Sequence, residues 1–269
     1  MKLNNKYKNK TVVITGAGSG IGAEFVNFFA RQNSKIALID MQLEGMKQIA
    51  LKTNLENDDY LLCDLDITNE SKVKLTIDTI IKKFGTIDFL INNAGISQIS
   101  LFESTNLSIF KKVIDVNFYG TVYLTKYALP YLKKSKGQVI AMSSVAGFSP
   151  LYGRTAYSAS KHALHGFLNS LRAEEKENGI DVLIACPSFV KTNIEKRTFN
   201  KDGKPFGKKK GTPGNIMTPE FVVLEVIKGV ENNKNTVYIS NISKISRLIS
   251  FFFPKIFEEK MKSKVKADF

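Results

Sequence analysis

Short runs rich in β-branched residues alternate with stretches of helical period along most of this chain, and that alternation limits the fold more than any single residue does. The strand-like runs fall at residues 11–15, 35–40, 60–63, 89–91, 139–142, 182–185 and 236–239. Helices between such runs return each strand parallel to the one before it through right-handed crossovers. The pattern predicts one doubly wound α/β domain, with about seven parallel strands covered by helices on both faces. A chain of 269 residues with 43% hydrophobic content is long enough to bury that core. No internal repeat or low-complexity linker divides it, so a single domain is expected over 1–241, followed by a tail over 242–269.

Ligands of parallel sheets bind beyond the carboxyl ends of the strands. Small and polar residues gather at those ends here: Gly16 to Gly22, Asp40, Asp64, Asn92 to Gly95, Ser144, Pro187 and Ser188. The first run leads directly into glycines at 16, 20 and 22, with Ser19 and Ile21 between them, and then into a helical stretch. Glycines let a backbone approach a pyrophosphate, and the helix start beyond them offers unpaired N–H groups and a positive dipole end. Gly18, Gly20 and Ala23 match the looser form of G-x-G-x-x-G. Asp40 ends the second run 18 residues after Gly22, where a ribose-binding carboxylate belongs; it is equally placed to cap the next helix.

Tyr157 and Lys161 stand four residues apart in a helix-compatible stretch, which puts phenol and ammonium on one face. Ser143 and Ser144 follow a strand-like run 14 and 13 residues earlier and supply hydroxyls at its end. Bringing a phenol from a pKa of ~10 to ~7 requires about 4 kcal/mol. A cation ~4 Å away at an effective dielectric of ~20 supplies about that much, which assigns the task to Lys161. His162 and His165 lack a third ligand of suitable spacing, so no metal site is expected.

Taken together these motifs resemble the short-chain dehydrogenase/reductase family, over essentially the whole length to about residue 239. Thr15 to Gly22 resembles the T-G-x-x-x-G-x-G cofactor turn, Asn92-Asn93-Ala94-Gly95 the N-N-A-G element, and Tyr157 with Lys161 the Y-x-x-x-K pair. The resemblance implies a Rossmann-like sheet of order 3-2-1-4-5-6-7 and hydride transfer between a nicotinamide and a secondary alcohol or ketone. It makes Tyr157 the general acid or base, Lys161 its electrostatic partner and a holder of the nicotinamide ribose, and Ser144 a donor to the reacting oxygen. Asn117 matches the active-site asparagine that keeps a water in contact with the lysine. Gly16, Ser19, Gly20, Ile21, Gly22, Asp40, Asp64, Asn93, Ala94, Gly95, Pro187 and Thr192 would form the cofactor site with Tyr157 and Lys161. For Asp64 a turn or strand-end role is nearly as good a reading as contact with the adenine. NAD is expected over NADP, because Asp40 would repel a 2′-phosphate and neither Ser19 nor Met41 is basic. Family members commonly associate as dimers or tetramers through the helix carrying the tyrosine. Two departures stand out: Ser188 replaces the usual glycine after Pro187, and the chain continues past the seventh strand.

Charge sets the remaining expectations. The formal net charge is +14, yet eleven of those charges lie in two segments. Residues 191–211 hold eight basic against two acidic residues, and 244–266 hold seven against two. A charge so confined, without a recognised motif, argues against a nucleic-acid binder. In the tail, Ile245, Leu248, Ile249 and Phe252 share one helical face, Pro254 interrupts it, and Phe257, Met261 and Val265 continue beyond, opposite Lys255, Lys262 and Lys266. The apolar stretch is too short and too charged to span a bilayer. It suits an interfacial helix on anionic lipid, or packing on a neighbouring subunit. The 191–217 segment would be the substrate loop, and Phe148, Tyr152 and Phe189 candidate walls for a hydrophobic alcohol or ketone, or core. The first ten residues lack the apolar core of a secretory leader, and Cys63 and Cys186 are too far apart in the chain for a disulfide framework, so a cytoplasmic protein is expected, in contact with a membrane through its tail. The competing readings are an NADPH-dependent carbonyl reductase of the same fold and a dinucleotide-binding sensor of weak activity.

Overall fold

The computed structural model describes residues 6–53, 55–192, 194, 197–207 and 216–265. Seven strands form one parallel sheet: β1 (Thr11–Thr15), β2 (Lys35–Asp40), β3 (Tyr60–Asp64), β4 (Phe89–Asn92), β5 (Gln138–Met142), β6 (Asp181–Cys186) and β7 (Thr236–Tyr238). Their order is β3-β2-β1-β4-β5-β6-β7, as the resemblance implied. The order reverses beside β1, so the crevice between the carboxyl ends of β1 and β4 opens at the switch point where such sheets take ligands.

Alternation along each strand feeds two separate cores. From β1, Val13 turns to the face packed by α3 (Glu70–Phe84), α5 (Gly120–Ser135) and α6 (Thr155–Glu175), through Ile77, Ile80, Leu124, Leu164 and Leu168. Val12 and Ile14 turn to the opposite face, against Phe25, Val26 and Phe29 of α1 (Gly20–Ala30) and Val222 and Val226 of α7 (Pro219–Glu231). The β-branched run of β1 follows: every residue of it is buried between the two helical layers. Between β2 and β3 runs α2 (Leu43–Thr53), and between β4 and α5 runs α4 (Leu107–Ile114). Helix boundaries carry their own signals: the Asn69 side chain caps α3, Gly85 ends it at φ +79°, and Thr218 caps α7 with Pro219 following.

Three local features place functional side chains. A π-helical turn, Asp115–Tyr119, joins α4 to α5 and carries Asn117. Ser97–Gln98 pairs in parallel with Thr198–Phe199, pinning the segment after β6 above the sheet. The tail forms α8 (Asn241–Phe252), capped by the Ser240 hydroxyl, and α9 (Pro254–Val265). No helix among the described residues is long and apolar enough to cross a membrane. Glu195, Lys196, Lys208, Lys209, Lys210 and Lys266 lie outside the described residues, as does the side chain of Val265.

The tail stripe is the first correction. Ile249 lines a cavity over the sheet with Ile242, Ser246, Phe257 and Met261, whereas Leu248 and Phe252 are exposed, so the expected single face is divided. The tail is anchored to its own domain. The Ser149 and Ser250 hydroxyls lie 2.9 Å apart, the Arg247 guanidinium sits 4.6 Å from the Tyr238 ring centre, and the Tyr152 N–H reaches Met261 Sδ.

Candidate active site

β1 delivers the chain into the glycine turn, where Gly16 and Gly20 take φ of +66° and +59°. Side chains are excluded here by contact as well as by conformation: a Cβ on Gly22 would overlap the Gly16 carbonyl. The turn is braced from β4. Thr15 Oγ1 accepts from the N–H groups of Asn93 (2.9 Å) and Ala94 (3.0 Å), and Asn93 Nδ2 donates to Thr15 O at 2.9 Å. Asn92, one residue earlier, is tied to Thr125 of α5. Ser19 precedes α1 in extended conformation without capping it through its side chain, which leaves the first-turn N–H groups directed at the crevice.

Asp40 is buried at the end of β2 and accepts from the N–H groups of Gly18 and Gln42, both at 3.1 Å. The carboxylate is therefore aimed and ordered beside the glycine turn. Asp64 ends β3 in register with Asp40 but is exposed and outside the cavity wall. On the far side of the crevice, Thr192 approaches Gly20 closely enough that a Cβ there would lie 3.3 Å from Thr192 Cβ. The replacement at 188 has a simple account: Ser188 is not in the left-handed region, so no glycine is required, and its hydroxyl accepts from Ser240 Oγ at 2.9 Å. The loop after β6 is thereby joined to the cap of α8.

Ser144 ends the extended segment after β5 and hydrogen-bonds Tyr157, while its own Oγ accepts from the Ala146 N–H at 3.2 Å. Ser143 faces another partner, His165 Nε2, at 2.8 Å, and a Cβ on Gly147 would overlap that pair. Lys161 is buried on the same helix as Tyr157, with Nζ 2.7 Å from the Met142 carbonyl and 5.8 Å from the Tyr157 ring centre. Burial pulls its pKa down to about 8. Asn117 is fully buried: its Nδ2 donates to Ile96 O (3.0 Å) and Ser160 Oγ (2.9 Å), and its Oδ1 accepts from Ile96 N (2.9 Å). In this position it holds the strand of chain after Gly95 against α6.

Burial raises the Tyr157 pKa above the ordinary phenol value, opposed by the hydrogen bond from Ser144 and by the charge of Arg154. Arg154 is thus a second cation near the phenol, beside Lys161 with its Nζ 5.8 Å from the Tyr157 ring centre. Arg154 Nη1 also donates to Ser97 Oγ at 3.0 Å. The signal was available three residues before Tyr157, one helical turn back, but Arg154 lies just before the helix and was not counted with it.

A cavity of about 940 Å³ runs from the glycine turn (Gly16, Ser19, Gly20) to the tyrosine, and there it is walled by Ile99, Leu151, Tyr152, Phe189, Val190 and Ile194, with the tail residues as its outer side. Tyr152 and Phe189 thus stand at the cavity. Phe148 does not: its ring packs 5.2 Å from that of Tyr238 and 6.4 Å from that of His165, in the core beneath. No cluster of three or more metal-ligating side chains occurs among the described residues.

A parallel switch-point sheet, a braced glycine turn and a Ser–Tyr–Lys set at one crevice define a dinucleotide-dependent oxidoreductase fold and site. A family model described as short chain dehydrogenase matches residues 10–203, and the chain belongs to that family, oxidoreductases acting on CH–OH groups. Among similar proteins, "Dehydrogenase/reductase SDR family protein 7-like" of Dictyostelium discoideum is 33% identical over 96% of this chain and 82% of its own length. "11-beta-hydroxysteroid dehydrogenase-like 2" of Arabidopsis thaliana is 37% identical over 71% of this chain and 63% of its own length. In fold, a short chain dehydrogenase/reductase from Burkholderia phymatum solved in complex with NAD superposes with a TM-score of 0.82 at 20% identity, covering 94% of this chain and 97% of that one.

Proposed function

We propose that this protein is an NAD-dependent oxidoreductase that interconverts a hydrophobic secondary alcohol and its ketone. The observation that carries the reading is the cavity itself: a largely apolar space of about 940 Å³ converging on Ser144 and Tyr157. The space also takes in Gly16, Ser19, Gly20 and Ile21, so it would hold the dinucleotide as well; the part beside Ser144 and Tyr157, walled by Ile99, Leu151, Tyr152, Phe189 and Val190, is apolar and suits a hydrophobic substrate. The name of the Arabidopsis relative, a hydroxysteroid dehydrogenase-like protein, agrees with a substrate of that kind.

The residues fit the dinucleotide. The glycine turn excludes side chains, the α1 start offers N–H groups for a pyrophosphate, and Asp40 presents an ordered carboxylate for ribose hydroxyls. Bound nicotinamide supplies or accepts the hydride. Tyr157 exchanges the proton of the reacting oxygen, and Ser144 donates a hydrogen bond as charge develops there. The test is turnover of apolar secondary alcohols and ketones by the purified protein with each nicotinamide, followed by absorbance. Turnover of none of them, with no binding of NADH, would overturn the reading.

The same proposal extends to location: peripheral contact with anionic lipid on the cytoplasmic face. Phe251 is 78% exposed, Phe252 and Phe253 are exposed beside it, and the exposed Lys244, Arg247, Lys255 and Lys262 lie on α8 and α9 on either side of them in sequence. Aromatic side chains flanked by cations suit an anionic bilayer surface, and they adjoin the wall of the substrate cavity. Cosedimentation with phosphatidylserine vesicles that disappears in a Phe251→Ser, Phe252→Ser, Phe253→Ser variant is expected. Absence of binding by the unaltered chain would remove the membrane from the proposal.

A further inference from the structure

The strand-pairing segment after β6 brings a guanidinium to the carboxylate that selects the ribose. Arg197 Nη2 lies 3.7 Å from Asp40 Oδ1 and donates to Gln42 Oε1 at 3.1 Å. The Asp40 side chain is 4% exposed and the Arg197 side chain 29%, so the pair is shielded on the acid's side and open on the arginine's. Nor is Arg197 placed by a free loop. The next residue, Thr198, is fully buried, pairs with Ser97 in the short parallel ladder, and donates from Oγ1 to Ile194 O at 2.8 Å. Arg197 also lines the cavity together with Gly16, Ser19 and Gly20, which puts it across the crevice from the glycine turn.

Asp40 alone would exclude a phosphate from the neighbouring ribose position by like-charge repulsion. A guanidinium beside it offsets that charge, and its planar fork of donors matches a phosphate in two-point geometry. We infer that Arg197 is a cofactor-selecting residue, supplied by the segment that also covers the substrate, and that it admits dinucleotides carrying a 2′-phosphate alongside NAD(H). The inference rests on the dinucleotide-site reading above. It changes what Asp40 implies, because the cation missing at positions 19 and 41 arrives from a distant part of the chain, 155 residues beyond its partner Gln42.

Fluorescence titration of the protein with NADPH and with NADH tests it, without reference to turnover. The unaltered chain is expected to bind both. Arg197→Ala is expected to weaken NADPH about tenfold or more while moving NADH far less, the loss of one charge-assisted pair. Arg197→Lys, which keeps the charge but not the fork, should lie between. Thermal unfolding of the variants is to match the parent, so that a folding defect is not read as a cofactor effect. Equal weakening of both nucleotides would reduce Arg197 to a closing contact and overturn the inference, as would no change in either. If the unaltered chain binds NADH alone, and Arg197→Ala leaves that so, the inference fails while the NAD-dependent reading stands. If neither nucleotide binds, both fail.

Discussion

Tyr157 and Lys161 share one helical turn, yet their environments push them in directions that spacing does not foretell. Burial of both groups disfavours both charged forms, raising the phenol and lowering the amine, and the ammonium is held by the Met142 carbonyl. Tyr157→Phe is expected to lower turnover about 10²–10⁴-fold, with NADH affinity nearly unchanged, because it removes the proton path and not the nucleotide site. Steady-state rates beside a binding titration check this, and a Phe variant with the parent rate would exclude Tyr157 as the acid. His165 offers a stability test. Burial depresses its pKa to about 4, whereas the unfolded value is near 6.5. The unfolded chain therefore binds the extra proton between those values, and stability present above pH ~6.5 is lost as pH falls towards ~4, by about 3 kcal/mol. Urea unfolding from pH 7 to 4 should show that loss, and His165→Gln should show less of it. That Tyr157 and Lys161 share one helix face was legible from the helix period, and the resemblance added Ser144 at a neighbouring strand end. Arg154 was within sequence reach, one turn before Tyr157, but Arg197 was not, because its effect depends on the distance between elements.

Elements position this site by what they exclude as much as by what they present. The β1–α1 turn can approach a pyrophosphate only because Gly16, Gly20 and Gly22 leave no Cβ in the way. Gly22→Ala should abolish measurable NADH binding, since the methyl group would meet the Gly16 carbonyl; a titration showing parental affinity would contradict that packing. The tail helices act differently. Phe257 and Met261 of α9 close the outer side of the cavity, and Tyr152 is fixed by contact with Met261. Truncation after Phe253 is expected to raise KM for apolar substrates about tenfold or more, consistent with loss of about 1.5–3 kcal/mol of burial per large side chain. NADH affinity should hardly move. Amphipathic period in the tail was readable from sequence, but not which half of it would turn inward, because Ser149, Tyr152 and Tyr238 decide that from far along the chain.

At the scale of the whole molecule, two cores hold one sheet and thereby hold the crevice at its edge. On the α1 face, Tyr7, Phe28, Phe29 and Phe89 meet edge-on or tilted, with ring centres 5.1–5.8 Å apart. Phe29→Ala removes the fully buried centre of that group and should cost about 3–5 kcal/mol, measurable by chemical denaturation. A change under about 1 kcal/mol would mean the cluster closes over the gap.

What the sequence determined by itself was everything governed by short range. Strand and helix periods set the sheet and its layers, glycines marked the turn, and i to i+4 spacing put Tyr157 and Lys161 on one face. The tertiary structure alone decided which charges and apolar faces meet. It turned Phe148 into the core against Tyr238, carried Arg197 to Asp40 through a two-residue ladder, and folded half of the tail stripe over the cavity. Each of these joins residues dozens to more than a hundred positions apart. Their energies depend on distance and burial, quantities that a local pattern does not contain and that exist only once the sheet has brought the ends of its strands together.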